Sequence, residues 1–179
     1  MKADDIIQFW FHELEPKDWW RKSNEFDRSI QSRFGQYHQA SVLGELFEWR
    51  DTAKGLLSEV IILDQFSRNI FRDSAKAFSQ DAQALTLAQF AVAQGLDKEL
   101  SLVERQFLYM PYMHSESKPT HELAVDLFKS LGPEHGYDFE LKHKAIIDRF
   151  GRYPHRNSIL GRPSTAEEEA FLKQPGSSF

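Results

Sequence analysis

Asp64 is an acidic side chain at a position where the helical pattern calls for an apolar one. Leu57, Val60 and Ile61 recur at the spacing of one helix face. The same face continues to Asp64, and Arg68 follows four residues later. The pattern therefore directs a carboxylate towards the core, where it needs a partner because an unpaired buried charge costs several kcal/mol.

Two histidines occupy the same kind of position. His114 continues the apolar stripe of Phe107 and Met110, and His143 lies within the stripe that runs from residue 139 to residue 150. An imidazole near a carboxylate can act as a general acid or base. The alternative is a structural role, in which each group only binds a neighbouring arginine or main-chain carbonyl.

A basic segment at residues 149–162 is the second candidate for chemistry. It holds four of the chain's eleven arginines together with His155, and it contains no acidic residue. The planar guanidinium binds carboxylate or phosphate through two parallel hydrogen bonds, so the segment predicts an anion site. The alternative is that these arginines tie the last helices to acidic partners such as Asp64 or Glu116.

Together these residues suggest a pocket for a small anionic ligand, either a phosphate or a carboxylate. In an enzyme of this kind His114 or His155 would be the general acid or base, and Asp64 would orient it. The predicted ligand-binding residues are Arg68, Arg149, Arg152 and Arg156. Spacing alone would also allow His114, His121 and His143 to hold a metal, but we assign no metal and no cofactor.

A protein-interaction scaffold is the alternative function. In that case helix hairpins stack into a groove for a protein partner, and the polar cluster is purely structural. The aromatic anchors of such a groove would be Trp19, Trp20 and Trp49.

Helical spacing dominates the elements that must position these groups, and no strand alternation is present. Two capping boxes, Ser101 with Glu104 and Thr165 with Glu168, indicate helix starts. Short connections favour antiparallel neighbours, so we predict an all-α fold of stacked antiparallel helix hairpins, as a superhelix or an irregular bundle. The predicted helices span residues 3–14, 24–48 (with a break near Gly35 or Gly44), 53–66, 78–94, 101–114, 119–131, 139–150 and 165–173, with a short turn at 154–160.

Composition excludes several classes of protein. The chain has 179 residues, no cysteine and a net charge of −5, and its length suits a single domain over residues 1–179. Without cysteine, thiolate catalysis and cysteine-ligated metals are impossible. An acidic chain is unsuited to nucleic acid, and no apolar run approaches the roughly 18 residues of a membrane span. We expect a cytoplasmic protein with no nucleic-acid or membrane partner.

Four stretches follow the aromatic opening FWF (9–11) in a fixed order and carry a family resemblance: LDQFSRNIFR (63–72), YMPYMHSE (109–116), RFGRYPHRN (149–157) and LGRPST (160–165). The chain resembles a widespread, mainly bacterial family of unknown function, and the likeness extends over nearly the whole chain. The resemblance implies an all-helical, tetratricopeptide-like superhelix without the consensus of that repeat, and it supplies no catalytic residues. Ser67 stands where the family pattern has proline, and Tyr153 stands where it often has phenylalanine.

Overall fold

The computed structural model describes residues 1–178, and it is 73% helical with no β-strand among those residues. A π-helical segment, Phe9–Glu13, follows the first helix, and a second one, Ile62–Phe66, joins the third helix to the fourth. The helices are α1 (Ala3–Gln8), α2 (Asn24–Val42), α3 (Ala53–Ile61), α4 (Ser67–Ile70), α5 (Asp81–Ala93), α6 (Leu102–Met113), α7 (Lys118–Leu131), α8 (Tyr137–Phe150) and α9 (Ala166–Leu172). Short 3-10 turns lie at Asp18–Trp20, Phe47–Asp51, Ala75–Phe78, Leu96–Glu99, Pro133–His135 and Pro154–Arg156.

The centre of the molecule is the continuous helical rod formed by α3, the π-helical segment and α4. Every residue from Gly55 to Ser67 is buried, including the charged side chains of Glu59 and Asp64, because other helices cover the rod on all sides. α3 packs against α1, α5 and α6, and α2 packs against α4. The remaining helices continue outward from this rod, because α7 packs on α6 and α8 packs on α7.

The apolar core has two parts. The main cluster draws residues from α1 through α7 and is rich in aromatic side chains, such as Trp10, Phe66 and Phe107. A smaller cluster lies towards the C-terminus, where Tyr153 packs with residues of α8 and with Phe171 of α9. The site described below lies where these two parts meet.

The predicted all-helical fold is confirmed, and its arrangement around a buried central rod is that of a helical bundle. The tetratricopeptide-like superhelix stays a prediction. The longest predicted helix, residues 24–48, forms without a break at Gly35, but it ends at Val42 and not at residue 48. Gly44 there adopts a left-handed conformation with φ of 73°, which closes a helix.

Two further helix ends differ from the sequence-based expectation. The third predicted helix does not stop at residue 66, because α4 prolongs it to Ile70. The helix predicted from residue 78 begins at Asp81, after the 3-10 turn at 75–78. Helix α6 continues through Pro111 and ends at Met113, and His114 is its C-cap residue. None of the helices among residues 1–178 has the length and hydrophobicity to span a bilayer.

Candidate functional site

A buried carboxylate and an imidazole form the centre of the site. Asp64 lies in the π-helical segment, and such local widening of a helix is frequent at functional sites. Its Oδ1 lies 2.7 Å from Nδ1 of His114 at the end of α6. The Asp64 side chain is 1% exposed and that of His114 is 12% exposed. The apolar stripe thus pointed Asp64 inward as predicted, and Asp64 orients the ring of His114.

Two arginines meet beside this pair by sharing one aspartate. Arg68 donates from Nη1 and Nη2 to the two carboxylate oxygens of Asp81, at 2.8 and 3.1 Å. Arg156 donates from Nη1 to Oδ2 of the same Asp81 at 3.1 Å. Arg156 also reaches the main-chain carbonyl of His114 at 3.0 Å, so the arginines and the imidazole belong to one cluster.

Aromatic rings support both guanidinium groups. The guanidinium carbon of Arg156 lies 4.5 Å from the ring centre of Phe78 and 4.7 Å from that of Tyr153. Arg68 lies 5.5 Å from the Phe78 ring. These contacts hold the guanidiniums by cation–π attraction. Arg156 is 6% exposed, and its buried Nε–H has no hydrogen-bond acceptor within the described part of the chain.

The electrostatics of the cluster keep Asp64 ionised and the histidines neutral. Burial opposes ionisation of Asp64, but Arg68 and His114 outweigh it and hold the Asp64 pKa below its ordinary value. Burial and the charge of Arg68 lower the pKa of His114. For Arg156, burial and the neighbouring charge of Arg68 lower the pKa. The surroundings of Arg156 therefore favour additional negative charge.

The neighbouring imidazoles surround Tyr153. Ring centres lie 5.7 Å apart for His143 and Tyr153, and 5.5 Å apart for Tyr153 and His155. Burial lowers the pKa of His143 to about 3. Burial and Arg156 lower the pKa of His155 to about 4. These side chains are neutral at pH 7, and Nδ1 of His143 donates to the main-chain carbonyl of Phe139 at 2.7 Å.

A second histidine–carboxylate pair lies behind the first and is fully enclosed. Nδ1 of His121 is 2.7 Å from Oε1 of Glu140, and both side chains have no exposed surface. Burial raises the pKa of Glu140 against the opposing influence of His121. His121 also contacts the Tyr153 hydroxyl at 3.3 Å. Because no solvent reaches it, this pair positions Tyr153 and does not act on a ligand.

The structure brings together only part of the predicted site. Asp64, Arg68, His114 and Arg156 converge, and His155 lies at the edge of the cluster, next to Tyr153. Arg149 and Arg152 do not reach it. Arg149 pairs with Glu167 at 2.8 Å on the surface, and Arg152 pairs with Glu168 of α9 at 2.6 Å. These two arginines tie α9 to the chain through Glu167 and Glu168, which are not the acidic partners that the structural alternative named.

Sequence reasoning missed the residue that assembles the cluster. Asp81 is the first residue of α5, and no apolar stripe or motif marks it. Phe78, which lies under both guanidiniums, was also missed, and Tyr153 was noted only as a departure from a family pattern. A helix-terminal aspartate is too common a feature to have identified Asp81 beforehand.

The tryptophans proposed as anchors for a protein partner are mostly committed to packing. Trp19 donates to the main-chain carbonyl of Trp10 at 2.7 Å and lies edge-on to Phe107. Trp49 is half-buried beside Tyr37. Trp20 is 55% exposed, so it alone of these three offers a large apolar surface to a partner.

Side chains pack closely around the cluster, since Arg156 is 6% exposed and Asp64 is enclosed. Two of the molecule's concave surfaces lie elsewhere, one of about 500 Å³ beside Lys2 and His12 and one of about 230 Å³ beside Asp27 and Arg72. Among residues 1–178, no group of three or more histidine and carboxylate side chains is arranged to hold a metal ion.

Comparison with known proteins assigns the chain to a family. The model of a family of bacterial proteins of unknown function, DUF924, matches residues 6–176. The chain belongs to the DUF924 family. A solved structure of a protein of unknown function from Agrobacterium tumefaciens is 37% identical, covers 96% of each chain and superposes with a TM-score of 0.91. No curated protein matches the chain.

Membership in DUF924 confirms the resemblance drawn from the four sequence stretches and supports the all-helical fold. All but one of the converging residues lie in three of those stretches, since Asp64 and Arg68 belong to the first, His114 to the second and Arg156 to the third. The exception is Asp81, which lies between the first and the second. Because the function of the family is unknown, the chemistry of the cluster is the guide to what it does.

Proposed function

We propose that this DUF924 protein binds a small anion, a phosphate or a carboxylate, where Arg68 and Arg156 meet beside His114. One observation carries the proposal. Two guanidiniums converge on a single carboxylate, and one of them, Arg156, keeps a buried N–H that finds no acceptor among residues 1–178. A buried donor in such a setting is costly unless it gains a partner, and an oxyanion is the partner that arginine prefers.

Charge supports the same proposal. The pKa of Arg156 is lowered by burial and by the nearby positive charge of Arg68. A bound anion would reverse both effects, because it would compensate the buried charge and screen the repulsion between the arginines. The aromatic contacts with Phe78 and Tyr153 hold the Arg156 guanidinium in place beforehand, which reduces the entropy lost on binding.

The proposal extends to acid–base chemistry at His114. Ionised Asp64 can only accept hydrogen bonds, so Nδ1 of His114 donates to it and Nε2 is the basic nitrogen. A neutral imidazole oriented by a carboxylate is the arrangement of a general base. His155, neutral at pH 7 and beside Arg156, is the second candidate for proton transfer. The proposed ligand would then be held by the arginines and act as proton donor or acceptor to His114.

The test is ligand-dependent thermal denaturation. Ligand that binds only the folded state raises the midpoint, by an amount equivalent to about 2.7 kcal/mol at 100 times the dissociation constant. Sodium phosphate, sodium acetate and sodium citrate are titrated at constant ionic strength. We expect at least one of these anions to raise the midpoint of the wild-type protein.

Two arginine variants separate a ligand site from a structural tie. Arg156→Lys keeps the charge but removes the planar donor group, and we expect it to abolish the response to the anion. Arg149→Lys is the matched control, since Arg149 is 48% exposed and pairs only on the surface, and it should respond like the wild type. An unchanged response in folded Arg156→Lys, or no response of the wild type to any of the three anions, would refute the proposed function.

A further inference from the structure

Asp81 is held in the way in which proteins commonly hold a bound oxyanion. Its carboxylate receives three hydrogen bonds from two guanidiniums, two from Arg68 and one from Arg156. Bidentate and bridging contacts of this kind are the geometry by which arginines recognise carboxylate and phosphate ligands. The Asp81 carboxylate therefore already occupies the position that an external anion would take.

We infer that Asp81 is a built-in competitor, and that the anionic group of the ligand binds by taking the place of the Asp81 carboxylate between Arg68 and Arg156. This inference rests on the proposed function and specifies how the site is regulated. It also defines the ligand class. The ligand must present an oxyanion with at least two oxygens, because Arg68 binds both oxygens of Asp81 and Arg156 shares one of them.

Asp81 differs from Asp64 in the properties that displacement requires. The side chain of Asp81 is 17% exposed, whereas that of Asp64 is 1% exposed. Asp81 can therefore turn out to solvent, while Asp64 has no route to water. As the first residue of α5, Asp81 also has favourable surroundings after release, because a negative charge is stabilised at a helix N-terminus.

The remaining contacts show why the arginines would stay in place. Arg68 also donates to the main-chain carbonyl of Asp64 at 2.9 Å, and Arg156 donates to the carbonyl of His114 at 3.0 Å. The Phe78 ring contacts both guanidiniums. None of these contacts depends on Asp81. The exchange thus replaces one acceptor with another without dismantling the cluster.

The decisive experiment compares phosphate binding by the wild-type protein and by Asp81→Asn. Asparagine has the same size and no charge, so the competitor is weakened while the fold is retained. Midpoints are measured over a titration of sodium phosphate at constant ionic strength, and dissociation constants are taken from the concentration dependence. We expect phosphate to bind Asp81→Asn about tenfold more tightly than the wild type, or more tightly still.

Two controls isolate the local effect. Asp138→Asn removes the same charge from an exposed position in the first turn of α8, and it should bind phosphate like the wild type. Adding Arg156→Lys to Asp81→Asn should cancel the gain. If Asp81→Asn fails to fold, Asp81→Ser gives the same comparison, since it also removes the carboxylate.

The outcomes distinguish this inference from the proposed function. Tighter binding by Asp81→Asn, with Asp138→Asn unchanged, supports both. Equal binding by wild type and Asp81→Asn overturns the competitor role and leaves the anion site intact. No phosphate response in either protein overturns the inference, and the same result with acetate and citrate in the wild type overturns the proposed function as well.

Discussion

Histidine protonation is the residue-level property that the cluster controls most strongly. Burial lowers the pKa of His143 to about 3 and that of His155 to about 4, in the second case with help from Arg156. His114 has a lowered pKa for the same two reasons, burial and a neighbouring arginine. All three are kept uncharged in the folded protein, although a histidine in an unfolded chain titrates near pH 6.5.

These shifts predict a loss of stability in mild acid. Below about pH 6.5 the unfolded chain binds protons at these histidines and the folded state does not. The free energy of unfolding therefore decreases as the pH is lowered, until the folded-state pKa values are reached. Each such histidine contributes up to about 1.4 kcal/mol per pH unit. We expect His143 and His155 together to lower stability by about 2 kcal/mol per unit between pH 6 and pH 4, measured by urea unfolding.

A matched pair of variants assigns this pH dependence. His143→Gln should remove roughly half of the slope that His143 and His155 contribute together, and His12→Gln, a substitution at an exposed position, is the matched control. Glu140 works in the opposite direction, because burial raises its pKa and its protonation favours the folded state in acid. Equal stability at pH 7 and pH 5 would contradict the assignment of neutral buried histidines.

At the scale of elements, the central rod determines where Asp64 lies. Its path depends on a close approach at Gly55, near the start of α3. A Cβ atom built on Gly55 would lie 1.8 Å from the main-chain carbonyl oxygen of Trp49. Glycine is required there because the turn at 47–51 packs directly against the backbone of α3, which places the rod against its neighbours.

Two glycine-to-alanine substitutions in helices should therefore have opposite effects. Gly55→Ala forces backbone apart and should destabilise the protein by about 2 kcal/mol or more. Gly35 lies inside α2 with nothing within 4 Å of an added Cβ, so Gly35→Ala should stabilise by about 0.5 to 1 kcal/mol through helix propensity. Denaturant unfolding of both variants measures this. Similar effects of the two substitutions would refute the close approach at Gly55.

At the scale of the whole molecule, the C-terminal part is held differently from the rest. The main core is apolar and continuous from α1 to α7, whereas α9 buries only Glu168 among its own residues. Ion pairs add to the packing of Phe171 on Phe150. Arg152 binds Glu168 at 2.6 Å, and Arg162 binds Glu116 at 2.6 Å. Charged pairs near the surface contribute little stability compared with apolar burial.

Native-state hydrogen exchange should show this difference. We expect amide protons of α9 to exchange through local opening, with protection at least about 100-fold lower than in α3. α7 is the control for a peripheral helix, because it buries Ala124, Phe128 and Leu131 in the main core, and it should be protected more strongly than α9. Higher salt should increase the difference in protection between α7 and α9, because it screens the ion pairs that hold α9. Equal protection of α7 and α9 would contradict the proposed difference.

Local patterns in the sequence predict the helices and the inward direction of the main titratable groups. Both predicted capping boxes, at Ser101 and at Thr165, are present, and Asp64 and His143 are buried as their stripes predict. These features depend on residues within about one or two helical turns of each other, so the linear pattern contains them. The four sequence stretches likewise identified the family, because they are contiguous.

Which charges meet depends on the tertiary structure. Arg149, Arg152 and Arg156 are alike in type and lie within one segment, yet only Arg156 enters the cluster. Its partner, Asp81, lies 75 residues away in the chain. Such a pairing depends on how α5 and the turn at 154–156 pack around the central rod, and no local spacing records it. An ion pair forms only between charges that lie close together in space, and no periodic pattern in the sequence marks its two members. The packing of distant elements therefore selects among chemically equivalent partners.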